Sequence, residues 1–137
     1  MVKEIVKDIE FLSVPLKSAT KDDLYIIQDL LDTAMANEGN CLGLTANQIG
    51  YDKRIIVVNI GGKFKPFINP VIAKRSKETY MASEGCLSLE GMRDVKRHRS
   101  IMLVWVDEKM KSHSANFGGL VAEIIQYEVD HCSGKLI

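Results

Sequence analysis

Apolar residues recur at helical spacing twice in this chain, and the residues between are β-branched runs broken by glycine and proline. In SATKDDLYIIQDLLDTAMANEGN the residues Leu24, Ile27, Leu30, Leu31, Ala34 and Met35 fall on one face. That spacing predicts an amphipathic core helix. Thr20 suits its N-cap, Asp22 and Asp23 suit the positive end of its dipole, and Gly39 suits its stop. The second stretch begins at Leu120 and continues through Ile124, Ile125 and Val129. Between them RIIVVNI reads as a buried strand and GGKF as a turn into PFINPVIAKRS. Pro66 and Pro70 predict an edge or a bend there. ETYMASEGCLSLEG reads as strand then loop, and RSIMLVWVDE as a strand returning through KMKSHSANFGG. Helix, several strands, then helix predicts an α+β fold, with antiparallel β-sheets around a central C-terminal helix and one N-terminal helix.

The 137 residues suit a single domain over 1–137. Lysine plus arginine (18) balances aspartate plus glutamate (18), which argues against a DNA-binding surface or a polybasic membrane anchor. The N-terminus has no continuous apolar segment of a signal peptide, and no run is long enough to span a membrane. Three cysteines without a secretory signal predict reduced thiols in the cytoplasm. Cys41 is expected to be exposed in a loop, and Cys132 to fill core. His98 and His113 are expected at the surface.

Three short segments carry chemistry. In QYEVDH, Gln126 to His131, a helix places Tyr127 and His131 on one face, with Glu128 beside them. This is the zinc-hydrolase pattern His-Glu-x-x-His with tyrosine at the first ligand position. In SEGCLSL, Cys86 is either a buried small residue or a thiolate metal ligand. In GLTANQIG, Gln48 either satisfies a turn or aims an N–H at a developing oxyanion.

In order and spacing these segments resemble the three signature motifs of the peptide deformylases, from Gly43 through Gly134. The middle motif matches throughout. In the first, Cys41 stands at the first glycine and Thr45 at an alanine; in the third, Tyr127 stands at the first metal-binding histidine. Without the C-terminal extension of many bacterial members, the chain looks like the short, compact branch of that family.

The resemblance implies hydrolysis of the formyl group from formyl-Met of nascent polypeptides. It implies Cys86 and His131 as ligands of a divalent metal (iron, zinc or nickel), with Tyr127 as a third. Glu128 would be the general base. Gln48 and the backbone N–H of Leu87 would hold the oxyanion. Gly43 and Leu44 would pair with the peptide as an added strand, and Leu120 and Ile124 would line the methionine pocket. Arg97 would contact substrate or serve structure. The partner would be a formyl-Met peptide or a nascent chain near the ribosome. Tyr127 leaves three alternatives: a phenolate ligand, a site held by Cys86 and His131 with water or another donor, or no metal, with the phenol filling the corner. The last would make the chain an inactive reader of N-terminal Met peptides.

Overall fold

The computed structural model describes residues 1–136, so Ile137, the last residue of the expected domain, lies outside the described residues. The elements run α1 (Ile9–Leu12), α2 (Tyr25–Ala36), β1 (Gly43–Thr45), β2 (Ile55–Ile60), β3 (Lys63–Arg75), β4 (Thr79–Glu84), β5 (Arg93–His98), β6 (Ser100–Val106), β7 (Ser112–Gly118) and α3 (Gly119–Cys132). Five strands form one sheet in the order β1-β2-β3-β6-β7, and β4 pairs with β5 in a second. Every pairing is antiparallel.

Strand β2 explains the layering. Ile55, Ile56, Val57 and Val58 are all fully buried, because each face of the sheet is covered. Ile56 and Val58 pack with Phe67, Leu103, Trp105 and Ile125 beneath α3. Ile55 and Val57 pack with Ile26, Ile27, Leu30 and Ile68 beneath α2. The expected α+β plan is observed. Three details of the expected helix, α2, differ: Thr20 caps the turn Lys21–Asp23 ahead of it while the helix itself starts at Tyr25, it ends at Ala36, before Gly39, and Met35 is exposed rather than core; the short α1 is a second N-terminal helix.

The prolines do not mark an edge, for β3 is internal. The register places Pro66 opposite Val57. The amide of Asn69 donates to the Arg54 carbonyl, which fixes the alternation and turns the Pro66 nitrogen away from β2. On that side β6 ends at Val106, opposite Ile68, so no ladder bond is lost. Pro70 lies in a register shift, beside Asn69 at φ 51°, so the bend expected there is present.

The β4–β5 hairpin flanks α3 and is held to it by polar bonds at successive turns. Tyr80 Oη donates to Glu123 Oε1 (2.9 Å), Gln126 exchanges two bonds with the His98 backbone (2.9 and 2.8 Å), and Arg97 Nη1 donates to Asp130 Oδ2 (2.5 Å). The far end of α3 is tied to the N-terminal segment, where the Leu16 amide donates to the Cys132 carbonyl (2.8 Å). Gly134, at φ +81°, brings its Cα against Ser13, where an added Cβ would lie 2.4 Å from a carbonyl oxygen. Among the described residues no helix is long and apolar enough to cross a membrane.

Candidate active site

Three separate elements meet along a groove of about 250 Å³: β1 with the one-turn helix after it, the loop following β4, and the middle of α3. The groove is lined by Gly43, Gln48, Cys86, Leu87, Leu120, Ile124, Tyr127 and Glu128, together with Cys41 and Leu42. The three motif segments therefore form one site.

Glu128 is its buried centre, at 2% exposure. Its Oε1 accepts from Thr45 Oγ1 at 2.7 Å and lies 3.3 Å from His131 Nδ1. Gln48 Oε1 accepts from the Thr45 amide (3.1 Å) and also lies 3.3 Å from His131 Nδ1. Two acceptors face Nδ1, which favours a ring proton there. Gln48 Nε2 donates to Ser88 Oγ at 3.2 Å, which fixes the amide with its N–H toward the cysteine loop.

Burial alone would raise the Cys86 thiol. Hydrogen bonds from His131 and Tyr127 and the Ser88 backbone N–H outweigh it and hold the thiol below its ordinary range. Tyr127 is affected in the opposite sense. Its burial, its bond to the Cys86 sulfur and the negative charges of Glu128 and Cys86 push the phenol far above its ordinary value. The ring packs on that of His131, with centroids 4.4 Å apart, and the hydroxyl is buried without a well-formed hydrogen bond.

A catalytic divalent site commonly takes three protein ligands and keeps one position open. Cys86 and His131 have the right chemistry, a stabilised thiolate beside an imidazole. At neutral pH the third corner holds a neutral phenol. Among the described residues no three His, Cys, Asp or Glu side chains are arranged to hold a metal. Of the donors present, Cys86 and His131 fit a cation, and the Tyr127 phenol, whose ionisation burial opposes, is the weakest of the three.

Strand β1 is the edge of its sheet. The Asn59 amide donates to the Leu42 carbonyl, so Leu42 and Leu44 face β2 and the Gly43 polar groups face outward. Leu44 is thereby corrected as a strand-pairing residue: its backbone belongs to β2 and its side chain is fully buried. Gly43 alone presents a free edge at this level. Its carbonyl accepts from Cys41 Sγ at 3.1 Å. Cys41 is buried at 3%, not exposed, and the desolvated thiol beside Glu128 is pushed up to about 12. Leu120 and Ile124 line the groove with apolar side chains. Arg97 is a structural contact, held between Glu84 and Asp130, and does not line the groove. Sequence reasoning gave no role to Thr45 or Ser88, which orient Glu128 and Gln48; their signal was the hydroxyl placed inside each motif.

Gly43 sits so close to α3 that an added Cβ would lie 2.8 Å from Glu128 Oε2 and 2.9 Å from Ile124 Cγ2. Gly43→Ala is expected to destabilise the chain by about 1–3 kcal/mol through overpacking. It should also weaken peptide binding, measured by thermal unfolding and peptide titration. An unchanged melting temperature would contradict this packing.

The chain was compared with known proteins. The family model described as polypeptide deformylase matches residues 4–137. The chain is similar to the peptide deformylase of Clostridium beijerinckii, 46% identical over 137 residues and covering 100% of both sequences. Among solved structures it resembles the peptide deformylase of Thermotoga maritima, with a TM-score of 0.90 and 26% identity over 99% of this chain and 95% of that one. The actinonin-bound class I type b peptide deformylase from Acinetobacter baumannii gives the same values.

Proposed function

Because the chain belongs to the polypeptide deformylase family, we propose that it removes the formyl group from the N-terminal formyl-Met of peptides and nascent chains. The observation that supports this best is the buried Glu128 carboxylate, oriented by Thr45 and His131 in the wall of a groove and set directly against the free edge of Gly43. An extended peptide adds to Gly43 as a short strand. Its methionine side chain lies against Leu120 and Ile124. The formyl oxygen meets the Gln48 amide and the Leu87 N–H, donors that stabilise charge developing on it. Glu128 takes a proton from the attacking water and passes it to the departing amine. Cys86 and His131 would hold a divalent cation (iron, zinc or nickel), which supplies the Lewis acidity that makes water nucleophilic near neutral pH. The work belongs in the cytoplasm, near the ribosome where formylated chains emerge.

The neutral phenol of Tyr127 favours a second reading, capture of N-terminal Met peptides without turnover. One assay separates the two. The chain is incubated anaerobically with a formyl-Met dipeptide and each of Fe²⁺, Ni²⁺ and Zn²⁺, and released formate is measured. Slow, metal-dependent release is expected. Peptide binding with no release under any metal would leave the capture reading standing. Neither binding nor release would remove both.

A further inference from the structure

The two donors of the candidate site come from elements that share no sheet. Cys86 follows β4 by two residues, and His131 lies near the end of α3. Their separation therefore depends on how the β4–β5 hairpin is fixed to the helix. Of the three polar links along α3, two lie away from the donors, at Glu123 and Gln126. The third sits at their level. Arg97, 3% exposed, sends Nε and Nη2 to Glu84 (2.9 and 2.6 Å) and Nη1 to Asp130 (2.5 Å). Glu84 precedes Cys86 by two residues and Asp130 immediately precedes His131. One rigid, planar guanidinium thus grips both donor segments, a geometry that lysine, with a single ammonium, cannot reproduce. Its Cζ also lies 5.9 Å from the Tyr127 ring centroid, so the same group backs the phenol that fills the third corner.

We infer that Arg97 is a positioning residue whose fork between Glu84 and Asp130 sets the separation of Cys86 and His131. It takes from the proposed function only that these two side chains work as a pair. Groups that orient metal ligands from behind typically alter affinity by 10- to 100-fold.

Amide hydrogen exchange on the whole chain tests this, with Co²⁺ titration as a second arm. Arg97→Ala is expected to speed exchange of the Gly85–Leu89 amides about tenfold or more relative to those of β2 and to weaken Co²⁺ binding about tenfold or more. Arg97→Lys is expected to recover part of both. Asp130→Asn cuts only the helix leg and is expected to speed the same loop, so the test survives if Arg97→Ala does not fold. Loop exchange unchanged relative to β2 in both Arg97→Lys and Asp130→Asn would overturn the inference, as would equal acceleration everywhere, the mark of plain destabilisation. A wild-type chain that takes up no Co²⁺ would count against the metal in the proposed function, and the exchange arm would still decide the role of Arg97.

Discussion

Tyr127→His is expected to raise divalent-metal affinity by about 100-fold or more and to raise deformylation at limiting metal in step. The substitution exchanges a neutral phenol for an imidazole at the corner opposite Cys86 and His131. Burial, Cys86 and Glu128 all oppose ionisation of the phenol, so a cation would have to overcome all three to recruit it. An imidazole is a ligand without ionising. Even partners that only orient a ligand are worth 10- to 100-fold in affinity, and a direct ligand is worth more. A hundredfold gain is about 2.7 kcal/mol. Chelator competition measures the affinity, and formate release at one metal equivalent measures the activity. Tyr127→Phe is the control: it keeps the ring on His131 and removes only the hydroxyl, so it should gain neither. If Tyr127→His binds metal no better than the native chain, the vacant corner does not lie where the sequence pattern and the fold put it.

The second large effect belongs to Glu128. Glu128→Gln keeps the shape and leaves an oxygen for the Thr45 hydroxyl, so fold and groove should persist. It removes the only role assigned here that moves a proton. General acid–base catalysis commonly contributes 10²- to 10⁴-fold, and turnover should fall by about that amount while peptide affinity stays within a few-fold. Single-turnover formate release and peptide titration separate the two quantities. A variant that loses binding as much as turnover would make Glu128 a structural residue. One that keeps turnover would remove it from the chemistry.

The residues differ in how plainly the sequence announced them. The run Ile55–Val58 lacks alternation because both faces of β2 are covered, and a continuous apolar run states that directly. The site was legible because its side chains sit in three short segments whose residue types are uncommon together. Cys86, Glu128, Gln48, Gly43 and Ile124 do meet in one groove, and His131 lies behind it against Gln48 and Glu128. What was missed depends on partners distant in sequence. Strand β5, RDVKRH, shows no apolar alternation because its inward residue is Arg97, and its carboxylate partners lie 13 and 33 positions away. The pairing side of Leu44 is set by register with β2, which composition does not encode. Cys41 follows a polar segment but is roofed by the groove itself, so local polarity suggested exposure where tertiary structure gives burial.

The ligand set can be read in a single cobalt spectrum. On Co²⁺ loading, the native chain should show a thiolate-to-cobalt absorption band that disappears in Cys86→Ser and is unaltered in Tyr127→Phe. A band that survives Cys86→Ser, or a metal spectrum that collapses in Tyr127→Phe, would contradict a site built on one thiolate and one imidazole with a neutral phenol beside them.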